Sequence, residues 1–152
     1  MSRPADAPRP SAFMTRPPMR VLFLCVHNSS RSQMAEAFAR MHGGRDVEAV
    51  SAGSRPSGTI NPRAIAAMAD RGYDLTSHRS KSLQEIPAGE YDYVVTMGCG
   101  DACPWVPAKH REDWAIPDPR NLSPADFATV RDDIERRVLE LLSAPRKARS
   151  SI

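Results

Sequence analysis

The chain has 152 residues, of which 41% are hydrophobic and 26% are charged, the balance of one globular domain large enough to bury a core. Its net charge of +3 comes from its ends, because residues 1–20 and residues 144–152 each carry +3 and the residues between them carry −3, which argues against nucleic-acid binding. No apolar run approaches the length of a membrane span and no signal-peptide hydrophobic region is present, so we expect a cytoplasmic protein that does not bind membranes.

The two ends of the chain differ in composition from its middle. Residues 1–18 are rich in proline and arginine and contain little that could pack, so they predict a disordered leader. A single folded domain should follow over residues 19–143, and residues 144–152 should form a basic flexible tail. We expect this domain to be a monomer.

Strands and helices alternate along the folded part. Short apolar runs rich in strand formers predict strands at residues 21–26, 47–50 and 93–97. Apolar periodicity, with Asn61-Pro62 and Ser123-Pro124 as start signals, predicts helices at residues 33–42, 63–70 and 124 to about 142. The proline-rich residues 98–121 are predicted to be irregular. The alternation indicates an α/β fold with a doubly wound parallel sheet of about four strands, whose ligand sites lie at the carboxyl ends of the strands.

The loop Cys25-Val-His-Asn-Ser-Ser-Arg31 joins the first strand to the first helix. A loop above a helix N-terminus can direct several backbone N–H groups at one tetrahedral anion. Arg31 can bind two oxygens of that anion, and the same field favours the thiolate of Cys25, so one loop would hold a nucleophile and an oxyanion. Asn28 suits the left-handed backbone such a loop needs. The candidate oxyanion contacts are Val26, His27, Asn28, Ser29, Ser30, Arg31 and Ser32, and Ser32 can also donate a hydrogen bond to the thiolate. The alternative is a buried apolar cysteine beside a solvated arginine.

The segment VLFLCVHNSSRSQMAEAF resembles the active-site loop of the low-molecular-weight protein tyrosine phosphatase superfamily. It is more similar to the arsenate reductase branch, in which Gln-Met-Ala-Glu follows the Arg-Ser pair. The likeness continues through Ser51-Ala52-Gly53, Asn61-Pro62, DLTSHRS and VVTMGCGDACP, over roughly residues 20–142. It implies a low-molecular-weight phosphatase-like catalytic domain and an arsenate reductase of arsenic detoxification that acts through a Cys25-arsenic adduct. The alternatives are a tyrosine phosphatase acting through a Cys25 phosphoenzyme and a catalytically idle oxyanion-binding module.

Cys99 and Cys103 follow the third predicted strand, and their spacing is compatible with a disulfide in a helical turn. The resemblance implies that Cys99 is a second nucleophile, that Cys103 resolves the resulting disulfide, and that a thioredoxin-like protein reduces the oxidised pair. The compact GCGDACP form is also similar to actinobacterial members, which implies a small thiol such as mycothiol, with mycoredoxin, as the donor. Two ordinary buried cysteines are the remaining alternative. A zinc site with His110 would lack a fourth ligand, so we expect no bound metal and an external thiol reductant.

Asp118 precedes Pro119 where the resemblance places the general acid, since a carboxyl group near a leaving oxygen can protonate it. The alternative is a turn residue before proline. Arg120 and Asn121 stand where phosphatases carry tyrosines, which disfavours an aryl-phosphate substrate.

The resemblance also implies which residues support the loop and whether a cation binds beside it. Asn28, Glu36 and Ser51 match a potassium site of some relatives, but Lys81 replaces its aspartate. We expect no bound potassium, because the Lys81 ammonium can pair with Glu36. The four histidines are expected at surface or capping positions, and Trp105 and Trp114 are expected to anchor the core or loops.

Overall fold

The computed structural model describes residues 17–98 and 105–150, with side chains up to residue 143. Its centre is a four-stranded parallel sheet in the order β2-β1-β3-β4. The strands are β1 (Met19–Cys25), β2 (Val47–Gly53), β3 (Tyr91–Thr96) and β4 (Ala108–Asp113). The helices are α1 (Arg31–Gly43), α2 (Pro62–Ala69) and α3 (Pro124–Ser150), with short 3-10 turns at Gly44–Asp46, Leu75–Ser77 and Leu83–Glu85. The predicted fold, a parallel sheet of about four strands with flanking helices, is confirmed.

Strand β1 lies at the centre of the sheet. Its residues Val21, Leu22, Phe23 and Leu24 are all buried, as the continuous apolar run of a central parallel strand requires. It pairs with β2 as far as Cys25 opposite Gly53, and with β3 as far as Leu24 opposite Thr96. Because all the strands are parallel, their carboxyl ends meet at one edge, where Cys25 stands.

One face of the sheet carries the main core, to which all three helices contribute side chains. The stripe predicted on the last helix is buried as expected, and consists of Phe127, Val130, Ile134, Val138 and Leu141. The opposite face has a smaller core that is covered, among the described residues, by loop side chains such as Leu83, Ile86 and Val106. None of the described helices combines the length and the apolar character needed to cross a membrane.

Three helix boundaries compare as follows with those predicted from the sequence. Helix α1 begins at Arg31, so this arginine belongs to the first turn rather than to the loop before it. Helix α2 begins as predicted, with the Asn61 side chain accepting a 2.8 Å hydrogen bond from the Arg63 N–H and Pro62 in the first turn. Helix α3 continues to Ser150, beyond its predicted end near Leu142.

The structure contradicts two further predictions. Strand β4 lies inside the stretch predicted to be irregular; its sequence, Ala-Lys-His-Arg-Glu-Asp, has no apolar alternation. Since the described sheet gives it one neighbour, β3, backbone hydrogen bonds rather than side-chain burial make it a strand. The second contradiction is Trp105, which the sequence predicts to anchor the core or a loop and which is 74% exposed, whereas Trp114 is buried beside Phe23 as predicted.

Candidate active site

The loop after β1 turns its carbonyl oxygens outward. The carbonyl groups of Val26, His27 and Ser29 accept hydrogen bonds of 2.8–3.0 Å from backbone N–H groups of a facing segment, namely those of Arg55, Ser57 and Asn61. A trans peptide group points the N–H of the next residue away from the carbonyl oxygen. The N–H groups of His27, Asn28 and Ser30 therefore point toward the inside of the loop.

The first turn of α1 adds further donors to this ring. The first helical hydrogen bond runs from Met34 N to Ser30 O at 2.9 Å, so the N–H groups of Arg31, Ser32 and Gln33 have no acceptor within the helix. The helix dipole also favours negative charge at this end. Asn28 has a φ of 51°, the left-handed conformation that its side chain predicts and that wraps the loop around this point.

Cys25 lies at the bottom of this loop. Its side chain is only 2% exposed, yet it lines a cavity of about 310 Å³. The Ser32 hydroxyl oxygen is 2.9 Å from Cys25 Sγ and itself accepts a 2.8 Å hydrogen bond from Asn28 Nδ2. The hydroxyl proton of Ser32 is thus available to the sulfur.

Arg31 and Asp118 lie together in the same cavity. Arg31 is buried, and its Nη1 donates a 3.1 Å hydrogen bond to the carbonyl oxygen of Ile116, which fixes the direction of the guanidinium. Its Nη2 lies 4.0 Å from Asp118 Oδ2, and Arg120 Nε lies 3.4 Å from the same oxygen. The carboxyl group of Asp118 is therefore held between two guanidinium groups at the mouth of the cavity that Cys25 lines.

Asn28 is the hub that holds the loop in shape. Its Oδ1 accepts hydrogen bonds from Gln33 Nε2 at 2.8 Å and from the Lys81 backbone N–H at 2.9 Å. Its Nδ2 donates to Ser51 Oγ at 2.9 Å as well as to Ser32. Every hydrogen-bonding position of this buried amide is used, which locks the loop to β2 and α1.

A buried carboxylate, that of Glu36, is connected to Asn28 through Ser51. Glu36 accepts a 2.6 Å hydrogen bond from Ser51 Oγ, and its Oε1 lies 3.6 Å from the Lys81 ammonium. Arg40 pairs with its second oxygen at 2.5 Å. Burial lowers the pKa of Lys81, and the Coulombic attraction of Glu36 partly opposes this shift. The structure thus brings together all four residues expected to support the loop, Asn28, Glu36, Ser51 and Lys81.

Sequence reasoning missed a polar chain that supports Gln33. His78, whose side chain is 2% exposed, has its Nδ1 2.9 Å from Gln33 Oε1, so Nδ1 carries the proton because an amide oxygen only accepts. The Tyr73 hydroxyl lies 2.6 Å from Nε2, which accepts in a neutral ring. Burial lowers the pKa of His78, consistent with a neutral imidazole. No local signal reveals this contact, since Gln33 and His78 meet only through the fold.

The cavity wall contains further residues that the sequence did not single out as site residues. Ser57, Thr59 and Asn61 line it from the segment before α2, together with the predicted His27, Ser29 and Ser30. The Val26 side chain packs instead against the smaller core, so only its backbone faces the loop. Cys99 and Cys103 lie outside the described residues. Within the described parts of the chain, no group of three or more histidine, cysteine, aspartate or glutamate residues could hold a metal ion.

Comparison with known proteins gives consistent matches over most of the chain. The low molecular weight phosphotyrosine protein phosphatase family matches residues 20–151. The chain is 38% identical over 127 residues to the glutaredoxin arsenate reductase of Synechocystis sp., covering 82% of this chain and 96% of that protein. An arsenate reductase in the phosphate binding state superposes with a TM-score of 0.75 at 35% identity, covering 83% of this chain and 98% of the other. A thioredoxin-dependent arsenate reductase of Corynebacterium glutamicum superposes with a TM-score of 0.71 at 34% identity, covering 87% of this chain and 64% of the other.

Proposed function

The chain belongs to the low molecular weight phosphotyrosine protein phosphatase family, and we propose that it is an arsenate reductase with Cys25 as its nucleophile. Relatives 35–38% identical to it over most of its length are named arsenate reductases. The observation that carries the proposal is the joint placement of Cys25, Arg31 and Asp118 in one cavity, beneath backbone N–H groups that converge on it. This arrangement suits a tetrahedral oxyanion.

The first step forms a bond between sulfur and arsenic. The loop N–H groups and Arg31 hold the arsenate oxygens and stabilise the charge that develops on them. Cys25 Sγ attacks the arsenic atom, an As–S bond forms, and one As–O bond breaks. Asp118, which lines the same cavity, gives a proton to the departing oxygen, which leaves as water.

The second step reduces arsenic. The thiolate of Cys99 attacks the sulfur of Cys25, and the electron pair of the As–S bond stays on arsenic, which changes from As(V) to As(III) and leaves as arsenite. The chain is left with a Cys25–Cys99 disulfide. Cys103 then attacks Cys99, which frees Cys25 and moves the disulfide to Cys99–Cys103. These two roles rest on the resemblance to arsenate reductases, and both cysteines follow β3 in the sequence.

An external reductant must restore the two thiols after each cycle. The Corynebacterium neighbour is named a thioredoxin-dependent arsenate reductase and the Synechocystis relative a glutaredoxin arsenate reductase, which supports a thiol donor outside the chain. We propose a thioredoxin-like protein acting on the Cys99–Cys103 pair. A small thiol such as mycothiol is the alternative, and in that route Cys25 alone would be essential.

The phosphatase alternative is less supported. Phosphoenzyme chemistry would use the same Cys25, Arg31 and Asp118. However, no phenylalanine, tyrosine or tryptophan side chain of the described residues lines the cavity, so an aryl ring would lack the large apolar aromatic contacts that such side chains provide. Its mouth instead carries the guanidinium of Arg120.

The proposal is tested by arsenite formation with wild type, Cys25→Ser, Cys99→Ser and Cys103→Ser, with the thioredoxin system or a small thiol supplied separately. We expect wild type to turn over with thioredoxin and all three variants to lose this activity, because each cysteine forms a bond that one step of the cycle requires. Loss only in Cys25→Ser, with a small thiol as donor, would support the alternative route. Hydrolysis of an aryl phosphate without any arsenate reduction would reject the reductase.

Activity is expected to be the same in sodium and in potassium buffers, because the Lys81 ammonium already faces Glu36. The matched variant is Lys81→Asp, which removes this cation and adds a second carboxylate beside Glu36. The resulting repulsion should make the variant depend on an added cation, so its rate should rise with potassium. The measurement is kcat/KM for arsenate at constant ionic strength. Strong potassium stimulation of the wild type would contradict the assignment of Lys81.

A further inference from the structure

Trp105 is an exposed side chain that stacks against an arginine. Trp105 and Leu139 are the large apolar side chains that the described residues expose, by 74% and 45%. The guanidinium of Arg111, on β4, lies 4.7 Å from the centroid of the Trp105 ring, and Arg111 also donates a hydrogen bond to the carbonyl oxygen of Val106. A stacked arginine thus holds the indole toward solvent. Exposed tryptophan and arginine side chains are the residues that most often dominate binding energy at protein interfaces.

The position of Trp105 in the sequence ties it to the redox cysteines. It follows Cys103 by two residues, so its Cα lies within about 7.6 Å of the Cα of Cys103 in any conformation. A protein that forms a disulfide with Cys103 must bring its own cysteine Cα within about 7 Å. The surface of the partner protein around its attacking cysteine therefore lies close to Trp105 when the disulfide forms.

We propose that Trp105 and Arg111 form a docking surface for a protein dithiol reductant of the thioredoxin class. The proposal rests on the proposed function, in which a Cys99–Cys103 disulfide is reduced from outside. A free small thiol needs to reach only one sulfur atom and gains little from an indole ring beside it. A protein partner, in contrast, can bury both faces of a rigid aromatic side chain and so gain specificity and affinity.

The partner reduces the Cys99–Cys103 disulfide in two thiol–disulfide exchange steps. The thiolate of the partner attacks Cys103 Sγ, an intermolecular disulfide forms, and Cys99 leaves as a thiolate. The second thiol of the partner then attacks the partner sulfur of that disulfide and releases Cys103. Two electrons and two protons pass to this chain, and the partner becomes a disulfide.

The test compares Trp105→Ala with two matched controls, Trp105→Phe, which keeps an aromatic ring, and Leu139→Ala, which removes an exposed apolar side chain on α3. Arsenate turnover is measured against thioredoxin concentration and, separately, with dithiothreitol. We expect Trp105→Ala to raise KM for thioredoxin about tenfold, as loss of an interface hot spot does, with kcat and the dithiothreitol rate unchanged. Trp105→Phe should stay within about threefold of wild type, and Leu139→Ala should not differ from it.

A second measurement does not depend on arsenate. The oxidised full-length chain is mixed with a thioredoxin variant that keeps only its attacking cysteine, and the rate of mixed-disulfide formation is followed. A slower rate in Trp105→Ala supports the docking surface, and equal rates and equal KM values in wild type and Trp105→Ala overturn it. Turnover with a small thiol but not with thioredoxin also overturns it, and leaves the reductase function in place. Absence of arsenate turnover with every reductant, together with normal disulfide exchange, would overturn the proposed function alone.

Discussion

Replacing Cys25 with serine is expected to lower arsenate reduction by more than about a thousandfold, as removal of a nucleophile does in other enzymes. A serine hydroxyl without an adjacent base is a weak nucleophile. It also cannot form the disulfide with a second cysteine through which arsenic gains its electrons. Arsenite formation under saturating reductant is the direct measurement.

Binding of the oxyanion should survive this change. Serine is close in size to cysteine, and the binding groups, namely the backbone N–H groups and Arg31, are untouched. Calorimetric titration with arsenate or phosphate separates binding from chemistry. Ser32→Ala provides a graded comparison, since it removes only the hydrogen bond to Sγ and should cost about 10- to 100-fold in rate. Cys25→Ser activity within tenfold of wild type would exclude Cys25 as the nucleophile.

Loss of Arg31 is expected to have the second-largest effect. Arg31→Ala removes a buried cation that the carbonyl of Ile116 aims into the cavity, and should lower kcat/KM for arsenate about 10²–10³-fold. Arg31→Lys keeps the charge but not the two parallel donors, so its activity should fall between those of wild type and Arg31→Ala. The check is kcat/KM with saturating reductant. Equal rates for wild type and Arg31→Ala would place the oxyanion elsewhere.

Gly98 allows the position of Arg31 to be tested without changing Arg31 itself. A Cβ at Gly98 would collide with the Arg31 guanidinium, and its φ is +84°. Gly72 is a matched control, because its φ is +80° and a Cβ there would contact nothing. Both alanine variants should lose similar stability through backbone strain. Only Gly98→Ala should lose activity, since only it displaces Arg31, and equal activity in the two variants would contradict this role.

Elements whose physics is local were predicted from the sequence. The buried residues of β1 and of the five-residue stripe of α3 could be predicted, because the spacing of their apolar residues matches the periodicity of a buried strand or of one helix face. The left-handed turn at Asn28 follows from one side chain that tolerates that conformation. Strand β4 could not be found in this way, since its charged residues are exposed and its strand state comes from hydrogen bonds to β3.

The sequence by itself determined the loop that holds Cys25 and Arg31, because these two residues are joined by a short segment whose geometry is imposed by the strand before it and the helix after it. Only the tertiary structure decided what faces that loop. Asp118 reaches Arg31, and His78 reaches Gln33, across 87 and 45 residues of chain. Contacts of that separation depend on how the parallel strands are ordered and on where the loops cross their carboxyl ends, and no local pattern of residues records either.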